Sequence, residues 1–299
     1  MTYLRLMKYP GAKTTLLPEI RNILRNSNRH FLLDVFGGSG LVALNLHAKR
    51  IVYNDIEEEL VNLFKVIQER PESLYQMLET LLKSAGENRS RLNKGFSGSF
   101  TRNEVTNTMQ RGIPARKAEY KMPEARQFRR TDYRESSEGL SMEKRAYYTI
   151  YRFSTSFGGM GNTYATTNEK STFRYISKTL DEFPRIAETV KKWKIENLDF
   201  RELIPRYDSR DAFFYLDPPY PGKGWYNHNF DAGDFEDIRT ILESLKGKYL
   251  MNLNAEDTNL AQIFGKPTFV KSYINQNGGL NVESGSQRLK AFYTNVQRI

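Results

Sequence analysis

The apolar run FFYL at 213–216 ends on Asp217-Pro218-Pro219-Tyr220, the tetrapeptide whose residue types are most specific for chemistry in this chain. Two prolines cannot continue a sheet ladder. They fix a stiff turn at the carboxyl end of a strand, where open α/β sheets bind ligands. An amino group conjugated to a heteroaromatic ring is a poor nucleophile, because its lone pair is delocalised into the ring. If the Asp217 carboxylate and the Pro218 carbonyl accept its two hydrogens, the nitrogen is drawn toward tetrahedral geometry and the lone pair is freed to attack a methyl group. Proline suits the second place because its tertiary amide keeps the acceptor while losing the donor. Tyr220 offers a ring on which an extruded base can stack.

A second constellation lies near the amino terminus. The apolar run FLLDVF, from Phe31, is followed by GGSG, so glycines end a buried strand just where a helix begins. Such a turn lets backbone pass close to a nucleotide-like ligand. An ordinary tight turn would look the same. Asp55 closes the next short strand, IVYND, fifteen residues past Gly40. A carboxylate there can accept both ribose hydroxyls of an adenosine ligand, or it can cap the helix that follows, and the two roles are compatible.

Composition narrows the chemistry. The 299 residues contain no cysteine, which rules out disulfides, thiolate zinc sites and a thiolate that adds to a base ring carbon. Methylation of an exocyclic amine needs no such thiolate. The three histidines, His30, His47 and His228, are scattered, and no metal is expected. Hydrophobic content is 39% with 27% charged residues, and no stretch approaches the length of a membrane span. The start, MTYLRLMKYPGAK, lacks the apolar core of a signal peptide, so a cytoplasmic protein without membrane partners is expected.

The elements that must position these residues follow from periodicity. Strand, glycine turn, helix, second strand and the helix EEELVNLFKVIQER give a β-α-β-α pattern, hence a parallel sheet with right-handed crossovers. A helical stretch through LYQMLETLLKSAGEN follows, and then about fifty residues rich in Arg, Gly, Ser, Thr and aromatics. Helical pattern returns at SMEKRAYYTIYRFSTSF. The α/β signal resumes with the strand DAFFYLDPPY, the helix FEDIRTILESL, the strand KYLMNLNAE and a terminal strand, AFYTNVQRI. The expected architecture is an α/β, Rossmann-like domain with a mostly parallel sheet, residues 1–83 and 158–299, interrupted by a smaller helical and loop module at 84–157.

Charge points to that module as the partner surface. Net charge is +10, and between Arg89 and Arg152 there are fifteen Lys or Arg against seven Asp or Glu, so eight of the ten excess charges fall in about a fifth of the chain. Arg91, Lys94, Arg102, Arg111, Arg116, Arg126, Arg129 and Arg130 are candidate nucleic-acid contacts. They interleave with Tyr120, Phe128, Tyr133, Tyr147 and Tyr151, a pattern suited to phosphate contacts with stacking or insertion.

In its motifs and their order the chain resembles the Dam-type, or D12-class, adenine-specific DNA methyltransferases. Lys8-Tyr9-Pro10-Gly11-Ala12-Lys13 resembles the family's N-terminal cofactor motif, with Tyr9 where many members have tryptophan. FLLDVFGGSGLVALNL resembles its cofactor loop, with Asp34-Val35 where Glu-Pro is common. The resemblance implies S-adenosylmethionine as cofactor, with S-adenosylhomocysteine as product. Tyr9 and Lys13 would lie against its methionine part, Asp34, Phe36, Gly38, Ser39 and Gly40 would form the loop, Asp55 and Ile56 would meet the ribose, and Asp199 with Phe200 would meet its adenine. It implies Asp217, Pro218, Pro219 and Tyr220 as catalytic residues, Asp217 also facing the cofactor, and Tyr226 and Phe230 as aromatics of a loop closing over the target. The expected substrate is adenine in double-stranded DNA, reached by flipping the base. A cognate restriction endonuclease is an accompanying partner the resemblance admits, and a monomer is expected. The rival readings are an exocyclic-amine cytosine methyltransferase, an RNA methyltransferase, and a non-catalytic DNA-binding protein that kept the fold.

Overall fold

The computed structural model describes residues 3–11, 13–84, 139–156, 169–219, 230–274 and 287–297. The basic candidates between Arg91 and Arg130, and the aromatics Tyr220 and Tyr226, lie outside them. The chain divides into two compact units, one of Met1–Leu4, Pro10–Val61 and Lys192–Ile299, the other of Arg5–Tyr9 and Asn62–Lys191.

The first unit is built on a seven-stranded sheet. Its strands are β1 (Phe31–Asp34), β2 (Arg50–Asn54), β3 (Trp193–Glu196), β4 (Ala212–Leu216), β5 (Lys248–Asn254), β6 (Phe269–Ile274) and β7 (Gln287–Thr294), in the spatial order β3-β2-β1-β4-β5-β7-β6. The first five pair in parallel. Among the described strands only β7 runs against its neighbours, β5 and β6. The fold is thus the mixed α/β, mostly parallel sheet expected from the sequence.

Both faces of the central strands β1, β4 and β5 are covered, which explains why they read as near-continuous apolar runs. The helices here are α1 (Leu17–Asn26), α2 (Leu41–Asn45), the start of α3 (Glu58–Glu69), α7 (Phe200–Tyr207), α8 (Ala232–Glu243) and α9 (Thr258–Phe264). Alternate side chains of β4 enter opposite cores. Ala212, Phe214 and Leu216 pack with Leu203 of α7 and Ile238 of α8, while Phe213 and Tyr215 pack with Ile20 of α1 and Val42 of α2.

The register explains how two motifs so distant in sequence come together. Asp34 pairs with Tyr215, and the Val35 N–H donates to the Tyr215 carbonyl at 3.1 Å. The next strands in the sequence, β2 and β3, lie on one side of β1, and β4 lies on the other. The order therefore reverses between β1 and β4, and the crevice beyond their carboxyl ends is where such sheets bind ligands.

The second unit is helical. It holds most of α3, then α4 (Pro71–Ser84), α5 (Met142–Thr155) and α6 (Glu169–Val190). Leu74, Leu78, Ile150, Ile176, Leu180 and Phe183 are its core, all at 1% exposure or less. Polar side chains tie its helices: Asn62 Nδ2 donates to the Met142 carbonyl at 3.0 Å, and Gln68 Nε2 to the Val190 carbonyl at 3.1 Å. No helix among the described residues is long and apolar enough to cross a membrane.

Candidate active site

The glycine turn after β1 is held against β2 by several contacts. The Gly37 N–H donates to the Asn54 carbonyl at 2.8 Å, and the Tyr53 hydroxyl donates to the Gly38 carbonyl at 2.8 Å. Gly38 and Gly40 have φ of 52° and 68°, a left-handed conformation that penalises any side chain. Ser39 between them is buried. At Gly37 the constraint is space. A Cβ there would stand 2.2 Å from Cε2 of Tyr53. That ring is fully buried, bonded through its hydroxyl, and stacked on Trp193 with centroids 5.7 Å apart. It cannot step aside. Gly37→Ala should therefore lower stability by about 1–3 kcal/mol, the usual range for overpacking. A thermal melt that matches the parent protein would refute this.

Asp55 closes the loop from the β2 side. Its Oδ2 accepts from the Gly38 N–H at 2.7 Å, and its Oδ1 from the Glu57 N–H at 2.9 Å. It thus serves the backbone at the start of α3 and the glycine turn together. Burial pushes its carboxyl up to about 6, with the amides of Glu57 and Gly38 pulling the other way. Asp34 is more buried still, and its Oδ2 accepts from the Ala43 N–H in α2 at 3.2 Å. Burial raises it to about 7, the Ala43 amide opposes this, and the carboxylates of Asp217 and Asp55 raise it further. Asp34 therefore braces the loop against α2.

Beside the loop is a cavity of about 350 Å³ lined by Phe36, Asn54, Ile56, Leu198, Phe200 and Phe230, among others. Phe36, Phe200 and Phe230 form one aromatic wall, with centroids 5.5 to 5.8 Å apart. Phe230, an aromatic of the loop expected to close over the target, packs into this wall. Ile56 is 39% exposed, an apolar side chain that the core does not use. Asp199 lines the cavity too, but it also caps α7, accepting from the Arg201 N–H at 2.8 Å. The Arg201 guanidinium pairs with Asp199, and with Asp234 and Asp237 at 2.6 Å each, so it holds the start of α7 to α8. An apolar, partly aromatic slot edged by a carboxylate fits an adenosine group.

Asp217 stands just past β4, as expected, with Pro218 buried beside it. Its Oδ2 meets Lys13 Nζ at 2.5 Å, and its Oδ1 accepts from Asn252 Nδ2 at 2.6 Å. Lys13 is itself buried and also donates to the Gly11 carbonyl at 2.7 Å. The lysine expected against the cofactor is thus paired with the Asp217 carboxylate. Tyr9, expected beside it, belongs to the helical unit, where its ring lies 5.0 Å from that of Phe153.

Three supporting residues were not singled out from the sequence. Asn54 ties three segments: Nδ2 donates to the Val35 and Leu198 carbonyls at 2.9 and 3.0 Å, and Oδ1 accepts from the Leu198 N–H at 2.9 Å. Asn252 holds Asp217, and Arg201 joins the helices flanking the cavity. For the two asparagines a signal existed, since a polar side chain inside an otherwise apolar strand must find partners. No group of three His, Asp or Glu poised to hold a metal occurs among the described residues.

Comparison with known proteins names this arrangement. A curated relative, the type II methyltransferase M1.LlaDCHI of Lactococcus lactis subsp. cremoris, is 22% identical over 309 residues, covering 96% of this chain and 94% of that protein. SMU.472, a proposed methyltransferase crystallised with SAH, aligns over 52% of this chain and 46% of its own, at 13% identity and a TM-score of 0.26. This chain thus spans less than half of that second protein. The profile of the D12 class N6 adenine-specific DNA methyltransferases matches residues 9–274, most of the chain. With the glycine loop, Asp55 and Asp217 gathered at the carboxyl ends of β1, β2 and β4, the protein belongs to the D12 class of N6 adenine-specific DNA methyltransferases.

Proposed function

We propose that this enzyme binds S-adenosylmethionine in the cavity beside the glycine turn and methylates the exocyclic nitrogen of an adenine flipped out of duplex DNA at Asp217 to Tyr220. The observation that carries the reading is the placement of Asp217. A carboxylate with both oxygens engaged by protein donors sits at the end of β4, next to the strand that ends in the glycine turn.

The cofactor, when bound, supplies an electrophilic methyl group on a sulfonium. The protein supplies the rest. Phe36, Phe200, Phe230 and Ile56 present apolar surface to the adenosine, and Asp55 accepts from the ribose hydroxyls. Asp217 and the Pro218 carbonyl accept the two amine hydrogens of the target, which localises the nitrogen lone pair for attack. With the methyl donor bound, attack by that nitrogen would complete the transfer, and Asp217 would be the base that takes the proton the amine sheds. Tyr220 and Tyr226 would hold the flipped ring. The basic residues of 84–157 would grip the duplex and choose its sequence. The enzyme would act as a cytoplasmic monomer without a metal ion, with a cognate restriction endonuclease as its accompanying partner.

Methylating unmethylated plasmid DNA with the protein and S-adenosylmethionine, then digesting it to nucleosides, tests the reading. N6-methyladenine is the expected product, and N4-methylcytosine would overturn it.

Grip by the insertion makes a second measurement decisive. Log affinity for duplex falls with log salt by about 0.9 per phosphate neutralised. Replacing Arg102, Arg111 and Arg116 together by Ala should flatten that slope by about 2 to 3. An unchanged slope would put the DNA surface elsewhere.

A further inference from the structure

Asn252 is an unusual occupant of its position. It sits in β5 between Met251 and Leu253, fully buried in a strand whose neighbouring positions are apolar. A buried amide without partners costs stability, and a leucine of similar size would pack there without that demand. Its partners explain its presence. The Tyr215 hydroxyl donates to Asn252 Oδ1 at 2.6 Å, and Asn252 Nδ2 donates to Asp217 Oδ1 at 2.6 Å.

The order of donors matters. A carbonyl oxygen can only accept, so a tyrosine hydroxyl bonded to Oδ1 must donate. That contact orients the amide and leaves its NH₂ group toward Asp217. The reverse orientation would set a carbonyl oxygen against a carboxylate oxygen. Strand geometry lines up the three side chains. Tyr215 is paired with Leu250 across β4 and β5, and residues two apart on a strand share a face, so Tyr215, Asp217 and Asn252 lie on one side of the sheet.

We infer that Asn252, oriented by Tyr215, is a positioning residue that aims the Asp217 carboxylate at the target amine. The inference rests on the reading of Asp217 as acceptor of the amine's hydrogens. Lys13 engages one oxygen of that carboxylate and Asn252 the other, so the plane of the group is set from two sides. Without the amide, Oδ1 of Asp217 would lose the donor that Asn252 supplies.

The test uses the full-length enzyme with unmethylated plasmid DNA, measuring kcat, KM for S-adenosylmethionine and the pH profile. In Asn252→Leu, kcat should fall about 10- to 100-fold, the scale of one hydrogen bond to a charged group. KM for S-adenosylmethionine should stay within about threefold, as expected when an interaction serves the chemical step. The acid limb of the kcat profile should move to higher pH, because a donor to a charged carboxylate favours the charged form. Tyr215→Phe keeps the ring in its core and removes only the hydroxyl, so a smaller loss, about 3- to 10-fold, is expected. If Asn252→Leu does not fold, this second variant decides. Rates within about twofold of the parent, or a loss carried by KM with an unmoved acid limb, would overturn the inference. Asp217→Asn is run beside them. If it is inactive while Asn252→Leu and Tyr215→Phe are normal, the positioning role falls and the reading of Asp217 stands. If Asp217→Asn keeps the parental rate, both fall.

Discussion

Asp217→Ala is expected to lower methyl transfer by at least about 100-fold while leaving affinity for duplex DNA within about threefold. The carboxylate acts on charge that shifts as the amine attacks, so its loss belongs in kcat. In the proposed complex, duplex binding rests on basic side chains elsewhere. The substitution has a second consequence that a melt should detect. Lys13 Nζ, whose side chain is 9% exposed, would keep only the Gly11 carbonyl among the two partners described above. Removing one member of a buried pair costs about 3–5 kcal/mol. Asp217→Asn separates the two effects, since it keeps the side-chain volume and one acceptor while losing the charge. Single-turnover rates and a gel or fluorescence binding assay on the same preparations would check the prediction. Substantial residual turnover in both variants would remove Asp217 from the chemistry.

Asp55→Ala should weaken binding of S-adenosylmethionine on the order of 10- to 100-fold, because hydrogen bonds to a charged group contribute about 1.5–3 kcal/mol. The effect has two origins. The carboxylate meets the ribose in the proposed complex, and it already holds the Gly38 and Glu57 amides in the free protein. Its pH dependence has a definite sign. The folded-state pKa, about 6, lies above the ordinary value of 3.8, so the folded protein binds the proton first as pH falls. Fold stability contributed by this group therefore rises as pH drops from about 7 toward about 4, and Asp34, raised to about 7, acts in the same direction. Cofactor affinity should do the opposite. A protonated Asp55 accepts more weakly from hydroxyls, so binding should fall as pH drops through about 6. Calorimetric titration across that range, with melts on the same buffers, would show the two trends crossing. Affinity independent of pH between 5 and 8 would remove Asp55 from the ribose site.

How much of this was legible in the residues alone depends on the range of the physics involved. The ends of β1, β2 and β4 could be read because apolar runs, glycines and prolines act over a few positions. DVFGGSG, IVYND and YLDPPY each carry their own stop signal. Local pattern does not mark α6, twenty-two residues from Glu169 to Val190, or the short strand β3. α6 follows directly on a stretch without clear periodicity, and WKIE has only its tertiary neighbours to mark it as a strand.

The sequence by itself determined the reaction type and the family. A carboxylate followed by two prolines, a glycine turn after a buried strand and the lack of cysteine are local or compositional facts, and their order along the chain survives any folding. Only the tertiary structure decided the partners of Asp217. Asn252 is 35 positions from Asp217 and Lys13 lies near the opposite end of the chain, yet both reach its carboxylate. It likewise decided that the Phe230 ring packs beside Phe36 and Phe200. These pairings depend on which strands become neighbours and in what register. That is set by the packing of whole faces, β4 against β5 above all, and no spacing between residues records it.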